Sequence, residues 1–132
     1  MARLLGRLLI VDDQRDFTRL VAAIAERLDF ATRILPHTLD FPYVMQHWQP
    51  DVVAVQMAMP DQQELDVLEY LEKTRYPGNL LLTGDVEEKA LKTAATVARQ
   101  HGLAVVSILT KSSPSDQIER AMRQLRDLAR AA

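Results

Sequence analysis

Leu8-Leu9-Ile10-Val11-Asp12-Asp13 decides the reading of this chain. Four apolar residues in a row, stopped by two acids, predict a strand buried on both faces that ends at a polar rim. The pattern then alternates. Phe17, Leu20, Val21, Ile24 and Leu28 fall at helical spacing, with Asp13 placed to cap the start. Phe30 to Leu35 predicts a second strand, and Thr32 and Arg33 make it an edge strand. Asp40 and Pro42 open a weaker helix that ends near Trp48 and Pro50. Val52-Val53-Ala54-Val55, within Asp51 to Gln56, predicts a further buried strand. Asp61 and Glu64 form a capping pair ahead of a helix packed through Leu65, Leu68 and Leu71.

Pro77-Gly78 marks a turn, and Leu80-Leu81-Leu82-Thr83 is the fourth strand. Asp85 and Glu88 are placed to cap a helix packed through Leu91, Ala94, Ala95 and Ala98, with Gly102 as its stop. Leu103 to Leu109 is the fifth strand. Ser113-Pro114-Ser115-Asp116 supplies an N-cap, an N1 proline and an N3 acid for a last helix lined by Ile118, Met122, Leu125 and Ala129. Five strands alternating with five helices predict an α/β fold in three layers, a parallel sheet covered on both faces with right-handed crossovers.

Composition bounds the function. The 132 residues fit one domain, and 48% are hydrophobic and 26% charged, as in soluble globular proteins. Sixteen Lys plus Arg against eighteen Asp plus Glu give a formal charge of −2, which argues against a nucleic-acid binder or a polybasic membrane anchor. With no cysteine, disulfides, thiolate zinc sites and cysteine catalysis are excluded. His37, His47 and His101 lack metal-ligand spacing. No stretch approaches the roughly 20 apolar residues of a membrane span. Met1 to Arg7 has a faint signal-peptide flavour, but its apolar stretch runs into Asp12 and Asp13. A cytoplasmic protein is the expectation.

In an open parallel sheet, ligands bind beyond the carboxyl ends of the strands. Those ends carry Asp12 and Asp13, Gln56, Thr83 with Gly84, and Thr110 with Lys111. Adjacent carboxylates repel unless a cation offsets them, and hard oxygen ligands suit Mg²⁺. A bland alternative has Asp13 capping a helix and Asp12 solvated.

With those rim residues in place, the chain resembles the receiver domain of two-component response regulators. The likeness covers residues 1–132, in order and spacing. Val11-Asp12-Asp13 resembles the family's acidic, Mg²⁺-holding pair. Pro50-Asp51-Val52-Val53 leading to Met57-Ala58-Met59-Pro60 resembles its third strand and following loop. Thr83-Gly84 resembles the hydroxyl-plus-small pair, and Lys111 the lysine that contacts the phosphoryl group. The resemblance implies a flavodoxin-like (βα)5 fold with sheet order 2-1-3-4-5. It also implies a phosphorelay signalling module rather than an enzyme; since the helix after Ser113 runs almost to the last residue, no output domain is expected in this chain. Expected partners are a histidine kinase or effector, and a second copy bound through the fourth helix, fifth strand and fifth helix.

The departures carry as much information. Gln56 stands where the family has its phospho-accepting aspartate. A carboxylate can carry an acyl phosphate, whereas a carboxamide is a poor nucleophile, so the usual aspartyl phosphorylation is expected to be absent. Position 64 is Glu64 in place of a glycine, Lys111 is followed by Ser112-Ser113-Pro114, and Ile108 replaces the aromatic switch residue. Asp12, Asp13 and Gln56 carry two negative charges where the family has three, leaving a weak or vestigial Mg²⁺ site. Lys111 has Gln56, Asp12 and Asp13 as candidate partners. The expectation is a pseudo-receiver locked in one state by its own hydrogen bonds.

The alternative is a flavodoxin-like small-molecule or cofactor binder. That function needs a hydroxyl- and glycine-rich loop after the first strand, where Asp12-Asp13-Gln14 stands, and no G-x-G-x-x-G or P-loop occurs. Arg120, Arg123, Arg126 and Arg130 read as a solvated face interrupted by Glu119 and Asp127. Trp48 is expected partly in the core, His47 exposed, and His101 at a helix C-terminus. The methionines read as core fillers.

Overall fold

The first strand, β1 (Gly6–Val11), lies inside the sheet, between an edge strand and the central one, and the chain alternates from there. The computed structural model describes residues 6–131. After β1 come α1 (Arg15–Arg27), β2 (Phe30–Leu35), α2 (Phe41–Trp48) and β3 (Val52–Gln56). A 3₁₀ turn (Pro60–Gln62), α3 (Gln63–Lys73), β4 (Asn79–Gly84), α4 (Glu88–Gln100), β5 (Ala104–Thr110) and α5 (Ser115–Ala131) complete it. The strands are parallel in the order β2-β1-β3-β4-β5, as expected, and β2 is an edge.

The continuous apolar runs explain the layering. On one face Leu8, Ile10, Val52, Ala54 and Leu81 pack under Val21 and Ile24 of α1 and Ile118 and Met122 of α5. On the other, Leu9, Val11, Val53, Val55, Leu80 and Leu82 pack under Val44 of α2, Val67 and Leu71 of α3 and Ala95 of α4. Strand alternation sends successive side chains to opposite layers, so a strand buried on both sides must be apolar throughout. Register sets the rim: Val11 lies opposite Val55, and Gln56 opposite Thr83.

The helix starts differ from expectation. Gln14, not Asp13, is the N-cap of α1. The N-cap of α3 is Gln62, in the left-handed region, and Asp61 is left-handed too (φ 56°), so the Asp61–Glu64 capping pair does not form. The N-cap of α4 is Glu87, without a side-chain cap. The last helix begins at Ser115; the Pro114 carbonyl accepts from the Gln117 and Ile118 N–H groups, and the Ser113 hydroxyl meets Thr110 Oγ1 at 3.3 Å. Leu20 and Leu65 lie off the packed faces, 39% and 52% exposed; α3 packs through Glu64, Val67 and Leu71.

Two glycines answer backbone demands. Gly102 closes α4 with φ 86°. Gly78 passes so close to Asp51 that a Cβ there would lie 2.5 Å from the Asp51 carbonyl oxygen. The start of β1 faces the end of α5: a Cβ on Gly6 would stand 3.7 Å from that of Ala129, and Arg130 reaches Asp29 at 2.7 Å. Among the described residues no helix is long and apolar enough to cross a membrane. Most of the signal-peptide-like start, residues 1–5, lies outside them.

Candidate functional site

Three strand ends and the β5–α5 turn build the rim. Asp12 follows β1 directly, and its backbone N–H donates to the Leu35 carbonyl at 3.0 Å, so the acid is pinned where the strand stops. Its side chain is buried and fully engaged. Oδ1 accepts the Gln14 N–H at 2.8 Å, and Oδ2 pairs with Lys111 Nζ. Of the three candidate partners for Lys111, the structure brings it to Asp12. The Lys111 side chain is 8% exposed and that of Asp12 1%, so this is a buried ion pair. The ammonium also stands 4.3 Å from the centre of the Phe17 ring, on the first turn of α1.

Gln56 ends β3 at 4% exposure. Its carboxamide oxygen accepts the Asp13 N–H at 3.1 Å. The Asp13 side chain itself is exposed. Beside Gln56, Thr83 is buried at the end of β4, and its carbonyl takes the Met57 N–H at 2.7 Å. Gly84 is buried, and its carbonyl accepts the Lys111 N–H at 3.0 Å. A Cβ on Gly84 would meet Val86 and Leu91 at 3.3 and 3.4 Å, a small-residue position. Ile108 lies half-buried on β5 against the α2–α3–α4 side of the core. The rim residues read from the strand ends therefore converge, with Asp13 contributing its backbone rather than its carboxylate.

Sequence reasoning missed two members. Phe17 was visible only as a helix-face apolar residue. Glu64 stood out as a charge in place of glycine, but its role is new: it is 8% exposed, and its two oxygens accept the Ala58 and Met59 N–H groups, each at 3.1 Å.

The donor set fits Mg²⁺ poorly. Asp12 already binds a cation and an N–H, the Gln56 oxygen is engaged, and Asp13 faces outward. Among the described residues no three His, Asp or Glu side chains gather to hold an ion. No buried side-chain polar atom of those residues lacks a hydrogen-bond partner. The rim is satisfied from within.

The remaining candidates resolve as structural features. Arg120, Arg123 and Arg130 are solvated and face Asp116, Glu119 and Asp29 at 4.0, 3.6 and 2.7 Å, whereas Arg126, 20% exposed, is largely covered and reaches Asp127 at 3.2 Å. His101 follows α4, and its ring meets Glu72 of α3 at 3.0 Å. His47 stacks on Tyr43, and the half-buried Trp48 lies under Arg33 and Arg7, 5.0 and 5.8 Å from its ring centre. Met45, Met59 and Met122 are buried.

No protein-family model matches the sequence, and no curated protein is similar to it. Solved structures are similar in fold. A response regulator from Colwellia psychrerythraea is 25% identical with a TM-score of 0.79, over 97% of this chain and 99% of that one. A response regulator receiver domain protein (CheY-like) from Methanospirillum hungatei is 15% identical with a TM-score of 0.77, over 96% and 98%. The BeF3-activated receiver domain of RstA from Klebsiella pneumoniae is 16% identical with a TM-score of 0.72, over 91% and 97%. The likeness establishes a flavodoxin-like fold of the receiver type.

Proposed function

We propose that this chain is a receiver-type module of two-component signal transduction that acts through protein–protein contact and is not phosphorylated at position 56. One observation supports the reading: at the end of the central strand β3 stands a buried carboxamide, Gln56, with no carboxylate there, and its oxygen is spent on the Asp13 N–H. Phosphoryl transfer to a receiver needs a carboxylate oxygen to attack phosphorus, and a neutral amide oxygen lacks that nucleophilicity. Lys111, which an incoming phosphoryl group would need as counter-charge, is already paired with Asp12.

In this reading the domain is no enzyme. It presents one fixed surface to a histidine kinase or an effector, or to a second copy through α4, β5 and α5. That face offers a groove lined by Lys92, Thr96, Arg99 and Val106. Mg²⁺ has at most a vestigial place at Asp12 and Asp13, and a cytoplasmic setting accords with such partners. The flavin alternative gains no support from a β1–α1 turn whose acid is buried on a lysine.

The test is beryllofluoride with Mg²⁺, followed by amide NMR of the protein and of Gln56→Asp. The expected result is a silent native protein and a variant whose Thr83, Gly84 and Lys111 signals shift. A native protein that responds overturns the reading. Silence in both makes the module a pure interaction domain without a latent receiver site.

A further inference from the structure

The segment after Gln56 is held in an unusual way. Between β3 and α3, Ala58, Asp61 and Gln62 all take left-handed backbone angles (φ 60°, 56° and 55°), and none is glycine. Such conformations are uncommon outside glycine and persist when surrounding contacts impose them. Here the contacts are identifiable. Successive N–H groups of Ala58 and Met59 converge on the two oxygens of one carboxylate, Glu64, in the first turn of α3. Consecutive backbone N–H groups around a left-handed residue form a concave anion-binding nest. This nest holds an anion that belongs to the chain itself. The helix N-terminus adds favourable field at the same carboxylate. Met59, buried, anchors the middle of the loop, and Gln63 accepts the Thr38 N–H at 3.2 Å, tying the start of α3 to the β2–α2 connection.

We propose that Glu64 is an internal latch: its carboxylate stands in for an external oxyanion on the Ala58 and Met59 N–H groups, and so fixes the loop beside position 56 in its strained form. The proposal deepens the receiver-type reading of the rim and rests on it for its regulatory meaning. An oxyanion arriving at position 56 would meet a loop whose nearest donors already serve a tethered carboxylate of like charge. A neutral side chain at 64 cannot reproduce the latch, because one amide oxygen does not replace two carboxylate oxygens.

Amide hydrogen exchange of the full chain tests the latch directly, with Glu64→Ala and the gentler Glu64→Gln. Exchange at Ala58 and Met59 is expected to rise about tenfold or more in Glu64→Ala, the scale of a lost charge-assisted bond. In Glu64→Gln only one of the two amides should lose protection, while core amides such as Leu9 and Val53 stay protected in both. Unchanged exchange at Ala58 and Met59 in both folded variants overturns the proposal. A second arm compares beryllofluoride binding by Gln56→Asp with and without Glu64→Gln. Binding tighter by about tenfold in the double variant supports competition for the loop donors, and equal affinities overturn it. If neither variant binds, the rim holds no latent receiver site, and the exchange result alone decides whether the latch exists.

Discussion

Replacing Lys111 with methionine keeps the unbranched stem of the side chain, one atom shorter, and removes its charge. Asp12 then stays buried, at 1% side-chain exposure, with the Gln14 N–H at 2.8 Å as its remaining side-chain partner. Breaking a buried ion pair from one side costs about 3–5 kcal/mol, because the surviving charge is left desolvated. The retained N–H bond places the cost at the lower end, about 3 kcal/mol. An unfolding entropy near 2.1 cal/mol/K per residue gives about 0.28 kcal/mol/K for 132 residues. Lys111→Met should therefore lower Tm by about 11 °C, measured by calorimetry. Adding Asp12→Asn removes the orphaned charge, so the double variant should recover about 1–2 kcal/mol relative to Lys111→Met alone. A drop smaller than about 3 °C in the single variant, or no recovery in the double, would refute a buried, mutually dependent pair.

Gly102→Ala should cost about 1 kcal/mol in urea denaturation, wholly from the backbone, since a Cβ there meets nothing within 4 Å and φ is 86°. Gly78→Ala should cost about 2 kcal/mol or more, because the new Cβ would sit 2.5 Å from an Asp51 carbonyl that also accepts the Asn79 N–H. Gly84→Ala, against the side chains of Val86 and Leu91, should stay within about 1 kcal/mol of the parent in the same assay. Lys73, hydrogen-bonded to Glu69 at 2.6 Å, holds the Glu69 carboxyl below its ordinary value. Its stabilisation is thus present above the ordinary carboxylate range and lost as pH falls through the lowered value. Carboxyl NMR titration should show the low midpoint, which should return toward normal in Lys73→Met and in high salt.

The strands and layers were legible because burial on both faces leaves a direct mark: Leu8 to Val11 and Val52 to Val55 admit no polar residue. The rim was legible by position, since strand ends of a parallel sheet share one edge. Its wiring was not. Asp13 and Asp61 look like helix caps by local spacing. The folded chain instead uses Asp12 for Lys111, 99 residues away, and Glu64 for backbone N–H groups behind it. Local templates cannot see a partner supplied by the fold. Lys111 had three chemically equivalent acceptors in sequence, and only the register of β1 against its neighbours and the height of the β5–α5 turn select Asp12. Leu20 and Leu65 satisfy helical spacing yet sit at the margin of their faces, where a residue's direction depends on how its helix is rolled on the sheet.

Gly6 and Ala129 nearly touch, which separates the order of the chain from the order of the sheet. A short bridge between those points would turn the polypeptide into a loop that can be reopened elsewhere, for instance at Leu39, 83% exposed between β2 and α2. The permuted chain would begin with α2 and finish with β2. The edge strand would then be the last piece to be synthesised, docking on a sheet whose other four strands already lie side by side.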